Sequence, residues 1–346
     1  MTASEDFILG LPKAELHVHM EGTVTARQKW DMAKRNGVEL PFDSYEHLLA
    51  EQDYTADNPA DVLKKFLDLY YGNHVVFRTE QDYRDVMYEY LRRCHEGNVR
   101  YAELFFGPQG HLALGMPLET LIEGLRAGIE DGYRDFGVEA KLLLTMNRGR
   151  SAESGLETVK SLVPYKDLVV GIGMGGYEPG NPPVKMQEAF DFARSEGWKI
   201  TCHCDVDQAD SVKHIWQCLN DIKVDRIDHG FNVMDDPKLV EAVIEREIYL
   251  TSCPTWWNEG GNPYRMERLR GMYDAGLPLT LNSDDPGMMA SGMLHELLPR
   301  VAETCQFTEA EMAKLAKNSF SAAWIDADKR ARFHAEVDGW LAASAA

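Results

Sequence analysis

Eight short apolar or β-branched runs recur along this chain, and most are separated by segments with helical periodicity. The strand-like runs lie near Ala14–His19, Val99–Phe105, Ala140–Leu144, Leu168–Met174, Lys199–His203, Arg226–His229, Ile248–Cys253 and Leu277–Asn282. Met186–Glu196, Gln208–Leu219, Pro237–Arg246 and Arg265–Ala275 read as helices between them. Strands that alternate with helices imply parallel βαβ units. Eight such units close naturally into a barrel, so the expected class is α/β, a (β/α)8 barrel of the TIM type, over an open doubly wound sheet. A barrel accommodates 346 residues as one domain, 1–346. Two regions exceed the minimal repeat. Residues 23–97 read as a helical insertion after strand one, with helices near Ala60–Tyr71 and Gln81–Glu96, which would cap the barrel mouth. Residues 308–346 read as extra C-terminal helices, with Thr308 as an N-cap ahead of Glu309 and Glu311.

In such a barrel the chemistry sits at the C-terminal strand ends, and polar residues cluster there. Strand one ends in His17-Val18-His19, whose spacing puts both imidazoles on one face. Strand five ends in Cys202-His203-Cys204, strand six in Asp228-His229-Gly230, and strand eight in Asn282-Ser283-Asp284-Asp285-Pro286. A lone His-x-His is a weak signal; the same chemistry on four strand ends is a strong one. His17, His19, His203 and Asp284 form a nitrogen-rich set with one carboxylate, which suits zinc better than calcium or magnesium. Strand four offers no lysine or carboxylate to bridge two metals, so one zinc per subunit is expected at this site. Cys202 and Cys204 flank His203 and point to the opposite face, so they read as packing residues.

Composition narrows the partners. A formal net charge of -20 repels phosphate backbones and anionic surfaces, so neither nucleic acid nor a membrane is an expected partner. The six cysteines are scattered and do not form a disulfide framework. With no basic leader and no apolar span, the chain reads as cytoplasmic. Assembly of identical subunits stays open.

Taken together, the segments Leu11–Thr23 (LPKAELHVHMEGT), Arg226–Gly230 (RIDHG), Ser252–Thr255 (SCPT) and Thr280–Pro286 (TLNSDDP) resemble the adenosine/adenine deaminase family of the amidohydrolases, in that family's order. The resemblance implies that His17, His19, His203 and Asp284 hold zinc. It implies that His229, with Asp284, deprotonates the water that attacks C6 of a purine, releasing ammonia. It also implies that Asp285 meets ring N7 and that the backbone N–H of Gly176 meets N3. The substrate expected from it is a small amino-heterocycle.

The chain departs from the family pattern at several points. The family carries His-Ala-Gly-Glu after strand five, where Glu protonates ring N1. Here Val206 stands third after His203, and the segment before Ile215 is longer, so Asp207 or Asp205 becomes the expected acid; both could instead cap the next helix. Glu21 stands where nucleoside deaminases carry Asp, as in the branch that acts on free bases. Phe105 stands where Arg is usual. Trp256 and Trp257 replace smaller residues near the mouth and could stack on a flat ring or pack under the cap. Three readings follow: an aminopurine deaminase, the same metal site cutting a different C–N bond such as an N6-substituted purine or an amide, or a non-catalytic purine-binding relative.

Overall fold

The computed structural model describes all residues except 53, 55–58, 205–209, 257–262 and 345–346. Helix α1 (Glu5–Gly10) leads into β1 (Lys13–His19). Before β2 (Val99–Phe106) come α2 (Ala26–Asn36), α3 (Tyr45–Glu51), α4 (Pro59–Tyr71) and α5 (Glu80–Glu96). Then follow α6 (Pro108–Ala113), α7 (Leu118–Phe136), β3 (Glu139–Asn147), α8 (Ala152–Ser161), β4 (Val169–Gly175) and α9 (Gln187–Ser195). The second half runs β5 (Lys199–Ile200), β6 (His203–Cys204), α10 (Ser211–Gln217), β7 (Arg226–His229), α11 (Pro237–Glu245), β8 (Tyr249–Ser252), α12 (Pro263–Asp274) and β9 (Leu279–Leu281). Three helices, α13 (Leu294–Cys305), α14 (Glu309–Ala322) and α15 (Ala327–Ser344), end the chain.

All ladder pairs are parallel, in the orders β1-β2-β3-β4-β5 and β6-β7-β8-β9. Two seams join these halves into a TIM barrel. The strand expected over Lys199–His203 is divided: Ile200 pairs with Ile172, and His203 pairs with Asp228. Between them the N–H of Thr201 reaches the Ile172 carbonyl at 3.0 Å, and the Cys202 carbonyl accepts from Asp228 N–H at 3.0 Å. At the other seam β9 meets β1. Asp284 N–H donates to the His17 carbonyl at 3.1 Å, and His19 N–H donates to the Asp284 carbonyl at 2.9 Å. The Asn282 side chain completes this seam by accepting from Leu16 N–H at 2.8 Å.

Local sequence explains the elements. β2 reads VRYAELFF and is buried along nearly its whole length, as parallel strands covered on both faces are. α2 begins on a Thr25–Gln28 capping box and ends on Gly37 at φ 63. Thr308 caps α14 and shares a capping box with Glu311. Helices α5 and α7 pack closely because Gly124, Gly128 and Gly132 form one stripe on α7; a Cβ on Gly128 would lie 2.7 Å from Met87 Cβ. No described helix is long and apolar enough to cross a membrane.

Candidate active site

Strands β1, β6 and β7 and the segment after β9 bring five sequence-predicted side chains into one buried pit. His19 Nε2 lies 3.0 Å from His203 Nε2. His17 Nε2 lies 3.5 Å from Asp284 Oδ1, and His19 Nε2 lies 3.7 Å from the same oxygen. The His229 ring is centred 4.5 Å from that of His17. Asp284 and His229 take φ of 64° and 63°, left-handed values uncommon for non-glycine residues and found where a site requires a side chain to be aimed.

The outward nitrogens are held from behind. His17 Nδ1 lies 3.2 Å from both the carbonyl and the hydroxyl of Thr251. His203 Nδ1 lies 2.9 Å from Asp228 Oδ2. Asp228 is itself fixed by the hydroxyls of Thr201 at 2.6 Å and Thr251 at 2.8 Å. A neutral imidazole that donates through Nδ1 presents a lone pair at Nε2. Here Nε2 of His203 and of His19 approach each other, and buried Nε2 of His17 has no hydrogen-bond partner. Inward lone pairs with outward N–H groups tied to a carboxylate and a carbonyl are the arrangement of imidazoles around a cation, so the residues present fit a metal ion.

Electrostatics agree with the geometry. Burial pushes the His19 imidazole down to about 3, and His203 adds to the shift. Burial, then His229 and His203, also lowers His17. Burial opposes the Asp284 charge, but the His17 contact and the neighbouring imidazoles outweigh it and hold the carboxyl well below its usual range. Burial likewise opposes the Asp228 charge, and His203 more than compensates.

The remaining expected residues fall as follows. Phe105 is fully buried and stacks on His19, with ring centres 5.1 Å apart, so it packs among the imidazoles. Gly176 has φ 92°, and a Cβ there would come within 3.0 Å of Tyr71 Oη. Asp285 is buried against Gly22, where a Cβ would lie 1.8 Å from its Oδ1. Glu21 is fully buried and accepts from Gly107 N–H at 2.8 Å and Tyr70 O–H at 3.1 Å, with His111 Nε2 3.3 Å away. Burial opposes its charge, yet His111 leads the groups that bring it down to about 2. Trp256 is buried beneath the Arg300 guanidinium, 4.5 Å from its ring centre. Asp205, Asp207 and Trp257 lie outside the described residues.

Sequence reasoning assigned no part to Cys253, which lies in one group with His17, His229 and Asp284. Nor did it identify Tyr70, His74 and His111 around Glu21, or Arg148, which donates to the His203 carbonyl at 2.9 Å and lies 3.5 Å from Glu178. Glu178 in turn sits 2.5 Å from His214 Nδ1. Asp228 stands in the strand-six end that the sequence singled out, and Cys253 in the Ser252–Thr255 segment; the others carry no local signal.

A closed parallel barrel with histidines and carboxylates at its C-terminal mouth defines an amidohydrolase-type hydrolytic enzyme. The adenosine deaminase family model matches residues 12–340, and the chain belongs to that family; it is a hydrolytic deaminase. It is 39% identical to an uncharacterised deaminase of Schizosaccharomyces pombe over 99% of each chain. It is 35% identical to an adenine deaminase of Hahella chejuensis, over 97% of this chain and 99% of that one. Among solved structures, an adenine deaminase from Arthrobacter aurescens is similar, with TM-score 0.86 and 32% identity over 96% of this chain and 99% of that one. A zinc-bound amidohydrolase from Burkholderia ambifaria has TM-score 0.86 and 27% identity over 98% of this chain and 94% of that one.

Proposed function

We propose that this chain removes the exocyclic amine of a free aminopurine of the adenine type, using one zinc ion held by His17, His19, His203 and Asp284. The observation that carries the reading is the convergence of those four side chains with His229. Zinc held by these residues would acidify a water so that it can be deprotonated near neutral pH. In this reading His229 accepts a proton from the attacking water, and Asp284 shares that task. Asp285 orients the ring at N7, and the Gly176 N–H meets N3. Water contributes its oxygen to C6, one proton ends on N1 and the other on the departing amine, and the C–N bond breaks to release ammonia. Asp207, or Asp205, delivers the N1 proton.

The preference for a free base has its own support. Tyr70 and Tyr71 of α4 roof the pit: Tyr70 bonds Glu21, and Tyr71 Oη stands over Gly176 and accepts from Asn147 Nδ2 at 3.1 Å. The Glu21 carboxylate is already engaged by Gly107 and Tyr70, so little of it remains for a ribose. The names of the adenine deaminases to which the chain is similar point the same way. Val206, in place of the family's acid, favours one second reading, hydrolysis of an N6-substituted purine at the same site.

The test is ammonia release by zinc-loaded protein from adenine, adenosine, N6-alkyl adenines, guanine and isoguanine. Turnover of adenine with none of adenosine is expected. Release of an alkylamine from N6-alkyl adenines, with adenine inert, would replace this reading with the second. No release from any purine would overturn both.

A further inference from the structure

Three cysteines unused by the deaminase site converge behind the strand that carries His203. Cys202 and Cys204 flank His203 and by strand alternation point the opposite way. Cys218 opens a π-helical turn, Cys218–Ile222, that continues α10. The three sulfurs all lie within 4.8 Å of one another, with Cys204 Sγ and Cys218 Sγ 3.5 Å apart. All three residues are fully buried.

We propose that Cys202, Cys204 and Cys218 form a second metal site, separate from the histidine site, which takes a soft thiophilic ion and clamps β6 to α10. Metal–sulfur bonds of about 2.3 Å set sulfur–sulfur separations of about 4 Å, so sulfurs that already lie within 4.8 Å of one another need adjustments of less than about an ångström. Thiolate sets select zinc(II) and copper(I) among cellular metals. Charge favours zinc: three thiolates and a divalent ion carry one net negative charge, and the fully buried Arg148 guanidinium donates to the carbonyl of the intervening His203 at 2.9 Å. Coordination number favours copper(I), because no fourth histidine, cysteine or carboxylate joins the group among the described residues. Either ion binds by displacing thiol protons to solvent, with no oxidant required. The rest of the fold gives such a clamp a purpose. Strand five is interrupted between Ile200 and His203, and a link from its outer face to α10 would hold the end that presents His203. A π-helical turn is rare and concentrates at functional sites; here it begins on the third sulfur.

The test is elemental analysis of protein expressed in zinc- or copper-supplemented medium and purified anaerobically. Wild type is expected to hold one equivalent per chain more than Cys218→Ser in at least one medium, and the metal found identifies the ion. Asp284→Ala counts the two sites apart, since it should lose the histidine-bound equivalent and keep the thiolate-bound one. Equal metal content in wild type and Cys218→Ser in both media overturns the proposal. So does a wild type two hydrogens short in intact mass, with Cys204 linked to Cys218 in the peptide map. Should Cys218→Ser not fold, wild type grown with cadmium decides: a thiolate-to-metal ultraviolet band is expected, and its absence overturns the site.

Discussion

Gly22 shows how little room the pit allows. A methyl group there would lie 1.8 Å from Asp285 Oδ1, so only glycine lets that carboxylate occupy its place. Gly22→Ala should therefore fold and keep its metal, while steady-state kinetics show KM for the purine raised at least tenfold, about 1.4 kcal/mol of lost binding. An unchanged KM would detach Asp285 from substrate binding. Asp284 bears on the metal itself. Asp284→Ala should lose the zinc of the histidine site together with ammonia release, read by elemental analysis and a coupled assay. Asp207→Asn should keep zinc and slow turnover by about 10²-fold or more if Asp207 is the acid; wild-type rates in that variant would move the role to Asp205 or elsewhere.

Packing at the level of elements depends on residues with no visible chemistry. α5 and α7 approach along Gly124, Gly128 and Gly132. Gly128→Ala gains about 1 kcal/mol of helix propensity and forces a methyl against Met87 Cβ and the Arg84 carbonyl. Overpacking of that kind costs about 1–3 kcal/mol, so urea denaturation should show a net loss. The start of α5 is sensitive to pH. Burial opposes the charge of Asp82, but the Arg78 N–H, Arg35, Asn36 and the Thr79 N–H together hold its carboxyl below the ordinary 3.8. A lowered folded pKa means the stabilisation is complete above the unfolded value, about 3.9, and fades as pH falls through the folded value. Asp82→Asn should thus lower stability at pH 7, with the gap from wild type narrowing below about pH 4. A gap constant with pH would show that the loss is not electrostatic.

The whole molecule closes through the seam between β9 and β1, and the same seam carries the site. His17 and His19 bond to the backbone of Asp284, so the strands that complete the barrel also bring ligand candidates together. A metal that binds only the folded chain stabilises it by about 2.7 kcal/mol at a free concentration a hundred times its dissociation constant. Chelation should accordingly lower the thermal midpoint of the wild type by more than that of Asp284→Ala, which lacks the histidine-bound ion. A midpoint indifferent to chelation would separate folding from metal binding.

Strand–helix alternation, the His17-Val18-His19 spacing and the Thr308 cap were legible in the chain because each is local. A period of two or of 3.6, or a capping box, is completed within a few residues. The polar strand ends were legible for the same reason, since a barrel of this kind gathers its strand C-termini at one mouth. Other features needed tertiary structure, because their partners are distant in sequence. His19 meets His203 across 184 positions, Glu15 meets Ser283 across 268, and Leu16 finds its acceptor in a side chain 266 residues on. Glu21 reads from the sequence as a substrate contact; the donors that its buried carboxylate meets, Gly107 and Tyr70, were supplied by the fold. Cys202 and Cys204 read as packing because alternation turns them away from the pit; that Cys218 meets them there was decided by the course of α10. Periodicity and residue chemistry determined the class of fold and the side chains at its mouth, while closure of the barrel decided which of them touch, since each such contact joins strands whose register no local pattern specifies.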